Sequence, residues 1–219
     1  MTRFAISLVA GVSALAIASA AQAADLIIEQ PAVGVVETTS GGWEGAFVGV
    51  FAGYGWGTAT QAITDDVFDG DELDLSGWLV GADFGYNFYL SDGIVAGVVA
   101  DIAWSDIGGE DTGYDTTVGI DWAGSVRGRL GFDGGAFMPY ITGGLAMAGA
   151  TADYSGDSDS NVHVGWTAGA GVEIAATEDL SIDLQYRYSD YGTQTYEIVP
   201  DADLSLTNHQ VTAGLHWNF

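Results

Sequence analysis

The chain has 219 residues, with four Lys+Arg against 30 Asp+Glu, three histidines and no cysteine. So acidic a chain offers no basic surface for nucleic acid, and the lack of thiols excludes a disulfide scaffold, thiolate catalysis and Cys-ligated zinc. Charged residues make up only 16% and aromatics 12%, a mixture that disfavours disorder at a length that fits one domain.

The first element is a secretion signal. Arg3 precedes an apolar run from Phe4 to Ala20, and Ala21-Gln22-Ala23 places small residues at the first and third positions before a cleavage point. The run is rich in Ala, Ser and Gly and shorter than the ~20 residues of a spanning helix. Residues 1–23 are therefore expected to be a signal peptide, and 24–42 a short periplasmic N-terminal segment. After residue 23, three arginines face all 30 acidic residues, a net charge of −27. Later apolar runs are interrupted every few residues by Gly, Asp or Ser, so no transmembrane helix is expected.

From residue 43 to 219 the pattern is alternation without helical periodicity. Eight segments carry it, at about 43–57, 76–90, 93–105, 117–133, 137–152, 161–175, 179–190 and 205–219. Each covers the ~9–11 residues of a tilted membrane-crossing strand plus overhang. The links between them alternate in length. Short ones fall at Ser91-Asp92-Gly93, Asp133–Phe137 and Thr177–Asp179; long polar ones at about 58–75, 106–116, 153–160 and 191–204. Short periplasmic turns and long outer loops are the signature of an outer-membrane barrel. A soluble eight-stranded barrel has no reason to gather its long loops at one end.

The faces of these segments assign inside and outside. One face of the second segment carries Trp78, Val80, Ala82, Phe84, Tyr86 and Phe88; the last carries Val211, Ala213, Leu215, Trp217 and Phe219. Aromatics gather at the ends of the apolar faces: Tyr54, Trp56, Trp78, Trp104, Tyr186 and Tyr188 towards the long links, Phe88, Phe132, Trp217 and Phe219 towards the short ones. Two aromatic belts suit two membrane interfaces. Opposite faces hold glycines such as Gly45, Gly49, Gly53, Gly165, Gly169 and Gly171, making room in a lumen that side chains just fill.

All three mature-chain arginines lie on inward faces. In VRGRLGF (126–132) Arg127 and Arg129 oppose Val126, Gly128, Leu130 and Phe132, and in LSIDLQYRY (180–188) Arg187 shares a face with Asp183 and Gln185. The same alternation sends Asp83, Asp101, Asp121, Glu173 and Asp183 inward. Strand direction puts Arg187, Asp101 and Asp121 in the outer half, and Arg127, Arg129, Glu173 and Asp183 in the inner half. Each arginine then has carboxylates at its own level, which predicts a salt-bridged plug of charge-assisted bonds in place of an open channel.

GWEGAFVGVFAGYGWG (42–57), SVRGRLGF (125–132), YITGGLA (140–146), GWTAGAGVE (165–173), LQYRYSDYG (184–192) and HQVTAGLHWNF (209–219) resemble, in joint order, the small outer-membrane β-barrels. That family includes the alphaproteobacterial surface antigens and the OmpA-like transmembrane barrel. The resemblance implies an all-β fold, an eight-stranded antiparallel up-and-down transmembrane β-barrel with both ends in the periplasm, and no cofactor. Leu215, Trp217 and Phe219 look like the final-strand signal read by the barrel-insertion machinery. The expected partners are that machinery, periplasmic chaperones, outer-membrane lipid and lipopolysaccharide, with a monomer as the expected state. Two features depart from the family: no peptidoglycan-binding domain follows the barrel, so wall anchoring is not implied, and the lysine-free, strongly acidic composition is extreme.

The expected role is structural, with acidic surface loops. A surface protein capturing haem, a cation or a host factor is the alternative, followed by a small-solute pore. For a cation, the loop DDVFDGDELD (65–74) concentrates six acidic residues, and DSDSN (157–161) spaces oxygen ligands at alternate positions. Asp65, Asp66, Asp69, Asp71, Asp157 and Asp159 are the metal-ligand candidates, although neither stretch has the complete calcium-loop pattern. For haem, the candidates are Tyr114, Tyr191 and Tyr196. His163 and His216 are expected in the lumen. His209 lies near the outer end of the last segment, with Ser205 or Ser189 as hydroxyl partners. An ester-hydrolysing triad needs a base within hydrogen-bond reach at the lipid side, and this arrangement is too unspecific to predict an enzyme.

Overall fold

The computed structural model describes residues 42–63, 69–111, 116–154, 157–196 and 202–219. Every alternating segment forms a strand: β1 (Gly45–Ile63), β2 (Asp69–Ser91), β3 (Ile94–Asp111), β4 (Thr116–Phe132), β5 (Phe137–Tyr154), β6 (Asp157–Ala175), β7 (Leu180–Tyr196) and β8 (Ala202–Asn218). Each pairs antiparallel with the next, and β1 closes on β8 from Phe47↔Asn218 to Ile63↔Ala202. Closure satisfies both edges of the sheet, which a wall in hydrocarbon requires.

The strands outrun the expected segments, all at the long-link end. β1 continues to Ile63 and β2 begins at Asp69, so most of the expected 58–75 loop is ladder. The 191–204 loop likewise becomes β7 up to Tyr196 and β8 from Ala202. Polar composition suggested loops there, but Leu73-Asp74-Leu75 and Leu204-Ser205-Leu206 keep the period of two. At the short-link end, Gly93 takes a positive φ (+79°) in its turn, a conformation that glycine adopts without steric cost.

The apolar faces point outward. Trp78 is 69% exposed, Phe84 64%, Leu145 66% and Phe219 75%, whereas a water-soluble domain would bury such side chains. Cross-strand partners Tyr54 and Trp78 meet edge to face, 5.3 Å apart, in the outer belt. Phe88, Phe132, Phe137, Trp217 and Phe219 form the inner belt. Trp166 and Phe137 join these rows beyond the residues expected.

Three layers fill the lumen. At the outer end Leu75, Leu79, Ile107, Val118, Ile120, Tyr191, Leu204 and Leu206 pack around the small side chains of β5 in one buried apolar cluster. At the end of the short turns Trp43, Val95 and Met138 form a second. Between them lies the polar layer. The sequence led to the expectation of a charged interior and did not anticipate apolar layers above and below it.

Candidate functional site

The polar layer is built from alternate positions: Ser125, Arg127 and Arg129 on β4; Ser181, Asp183, Gln185 and Arg187 on β7; Gln210, Thr212 and His216 on β8. All are inward and buried apart from Gln185, which is partly buried. Large groups fit because glycines face them across the wall. A Cβ on Gly49 would collide with Asp83 and His216, and one on Gly81 with the Phe51 ring at 2.5 Å.

Asp101 on β3 is the outer anchor. Its Oδ2 accepts from Arg127 Nη2 at 2.9 Å and Nε at 3.2 Å, from Arg187 Nη1 at 3.0 Å, and from the Ser125 hydroxyl; its Oδ1 accepts from Arg187 Nη2 at 3.2 Å. One carboxylate therefore holds two guanidinium groups from two strands. The Gln210 amide, with its oxygen turned to Arg187, accepts from Nη2 at 2.7 Å and Nε at 3.1 Å. Arg127 Nη1 also donates to Gln185 at 3.2 Å.

Glu173 on β6 is the inner anchor. Oε2 accepts from Arg129 Nη2 at 2.6 Å, and Oε1 from the Ser181 hydroxyl at 2.6 Å. His216 bridges onward, with Nδ1 at 3.1 Å from Glu173 Oε1 and Nε2 at 3.3 Å from Asp83 Oδ2. Both ring nitrogens can donate only in the imidazolium form. Arg129 lies 4.2 Å from the Tyr140 ring centroid, and the Tyr140 hydroxyl donates to Asp183 Oδ1 at 2.7 Å. Phe47 of β1 stacks on His216 at 4.8 Å. Every strand thus contributes to the layer. The space left among these groups is a cavity of about 20 Å³, roughly one water molecule.

Seven of the eight charged residues expected in the lumen are therefore there, with two corrections of partner. Arg127, expected to pair in the inner half, reaches outward to Asp101. Asp183 is held by Tyr140 and pairs with no arginine among the described residues. The eighth, Asp121, is outside the layer: it is exposed and accepts from the Thr151 hydroxyl at 2.7 Å. A register shift between Ile120 and Trp122 is the cause. A bulge adds one residue to one strand and reverses the facing of everything beyond it.

Sequence reading placed His216 in the lumen but did not join it to the charges, and it missed Tyr140, Ser125 and Ser181. The signal for Ser125 and Ser181 was available, because each sits at an alternate position on a charge-bearing face, whereas the inward face around Tyr140 on β5 carries no charge. His163 is buried as expected. His209 faces outward, its Nδ1 2.7 Å from the Tyr186 hydroxyl and its ring stacked on Trp56. Ser205 bonds Thr193 and Ser189 bonds Thr167, so neither hydroxyl serves His209. Tyr191, a haem candidate, is buried in the outer apolar layer. Tyr114, Asp65 and Asp66 lie outside the described residues, as do the side chains of Tyr196, Asp69, Asp71 and Asp157. Asp159 turns back on its own strand, accepting from Ser160 N at 2.9 Å and Asn161 Nδ2 at 3.1 Å.

The family model described as outer membrane protein beta-barrel domain matches residues 7–219. The chain belongs to that family. It is 35% identical to the 25 kDa outer-membrane immunogenic protein of Brucella abortus, over 84% of this chain and 83% of the relative. It is 31% identical to the 31 kDa outer-membrane immunogenic protein of Brucella melitensis, over 92% and 95%. A 22 kDa outer membrane protein of Rhizobium leguminosarum is 33% identical, over 73% and 69%. Among solved structures, Neisserial surface protein A superposes with a TM-score of 0.51 at 19% identity, over 80% of this chain and all of that one; this likeness concerns the fold alone. The protein is thus an outer-membrane β-barrel of the alphaproteobacterial surface-antigen type.

Proposed function

We propose that this outer-membrane barrel is a closed structural element of the envelope: it stiffens the membrane and carries an acidic outer rim, without conducting solutes. One observation carries the reading. The lumen is filled across three layers, two apolar and one ion-paired, and the cavity within the ion-paired layer measures about 20 Å³. A permanent path for a hydrated ion would need to breach all three. Chains of Arg–carboxylate pairs also link strands that are not neighbours in the wall, which resists ovalisation of the barrel.

The same reading takes signal-peptide removal at about residue 23 and recognition of Leu215, Trp217 and Phe219 by the insertion machinery as the route to the membrane. Phe219 N donates to Ala46 O at 2.9 Å, so the last residue completes the seam that insertion must close. Lipid and lipopolysaccharide are the partners of the outward belts.

The experiment is single-channel recording in planar bilayers, paired with deletion in the parent bacterium. The expected result is no stable conductance together with detergent sensitivity of the deletion strain. Porin-like currents would overturn the closed-barrel reading. An intact envelope with loss of binding to a surface ligand would favour the surface-binding alternative.

A further inference from the structure

We propose that Glu173, Asp183 and His216 form a buried binding site for a first-row divalent transition metal of the Zn²⁺ class. One potential ligand atom from each residue lies within 4.8 Å of the other two, and all three residues are buried. Small side-chain adjustments bring such atoms to the ~2.0–2.2 Å metal–ligand distances of an imidazole–carboxylate site. One imidazole with two carboxylates suits zinc and its first-row neighbours, whereas calcium and magnesium favour oxygen-only shells.

The surrounding groups are arranged as an outer shell. A metal-bound histidine normally donates its second ring N–H to a carboxylate. With His216 Nδ1 turned to the metal beside Glu173, its Nε2 already faces Asp83 Oδ2 at 3.3 Å. The Glu173 carboxylate is oriented by Ser181 and Arg129, and Asp183 by the Tyr140 hydroxyl. Tetrahedral coordination needs one further ligand, which the adjoining cavity can supply as a water molecule.

A second, independent observation is the side chain of Asp83, nine-tenths buried on the wall of this cavity. Its Oδ1 is buried without a hydrogen-bond partner, a costly state for a carboxylate. With His216 neutral, the layer also carries a net negative charge that attracts a cation. Among the described residues of the layer, four carboxylates (Asp83, Asp101, Glu173, Asp183) face three guanidinium groups (Arg127, Arg129, Arg187), one positive charge short. A proton at His216 cancels that deficit, whereas a divalent ion beside neutral His216 turns the layer from one net negative to one net positive charge. Metal binding replaces the Nδ1 proton, which leaves to solvent, while Nε2 keeps its hydrogen for Asp83.

Apolar layers cover the site at both ends, so metal enters as the barrel folds. The full chain is unfolded in chelator, refolded into detergent micelles with Zn²⁺ alone, desalted and analysed by elemental emission. The expected result is one Zn²⁺ per chain, resistant to chelator until the barrel is unfolded. Asp183→Asn leaves the Arg129–Glu173–His216–Asp83 chain in place and is expected to lower retention at least tenfold. Asp83→Asn is expected to weaken it about 10–100-fold. Asp121→Asn is expected to match the parent. Refolding with Co²⁺ gives a readout that needs no variant: intense d–d bands of a four- or five-coordinate site are expected. A parent chain that retains no Zn²⁺, an Asp183→Asn chain that retains as much as the parent, or a weak six-coordinate Co²⁺ spectrum would overturn the site and leave His216 as an imidazolium lock only.

Discussion

The outer and middle layers of the lumen solve the same packing problem with opposite chemistry. The outer layer fills its space with Leu75, Ile107, Leu204 and Leu206, which need only volume. The middle layer fills it with ions that need partners at defined angles, and here Asp101 alone satisfies two arginines. An apolar layer therefore tolerates substitution in proportion to the volume lost, whereas an ionic layer fails discontinuously when one partner is removed. The difference explains why two layers of similar burial should respond so differently to single changes.

Asp101→Ala is expected to have the largest effect, since it orphans two buried guanidinium groups. Breaking a buried pair in this way costs about 3–5 kcal/mol, measurable as a lower urea midpoint of the refolded barrel by tryptophan fluorescence. Leu206→Ala removes a fully buried side chain from the outer layer and is expected to cost about 2–4 kcal/mol, depending on how far the cavity collapses. Gly81→Ala tests the fit between wall and filling. Its Cβ would press on the Phe51 ring and the Ile102 carbonyl, for a loss of about 1–3 kcal/mol. Asp121→Asn is expected to change stability by less than about 0.5 kcal/mol, as an exposed substitution. Comparing Asp101→Asn with Asp121→Asn in one unfolding series isolates facing from residue type. Equal effects of those two would contradict the register described for β4.

The lesson of Asp121 concerns what alternation can and cannot locate. On β4, period-two reading correctly sends Arg127 and Arg129 inward, but it fails six residues before Arg127, at Asp121, because the extra residue at the Ile120/Trp122 bulge leaves no composition signal. The long links failed for a different reason. Aspartates and threonines of residues 58–75 look like loop, yet Leu73 and Leu75 already carried the inward face that keeps the ladder going. His216 was visible as an inward residue, but its carboxylate partners come from β2 and β6, more than 40 positions away in sequence.

Alternation, belt aromatics and link lengths determined from sequence alone that eight strands close with apolar faces to lipid and arginines within. These are local properties, since the side-chain period follows from the pleat of each strand. Which carboxylate meets which arginine, and that apolar layers cover the charges at both ends, was decided only by the tertiary structure. Partners across a lumen are set by strand stagger, bulges and side-chain reach together, and no single segment contains that information.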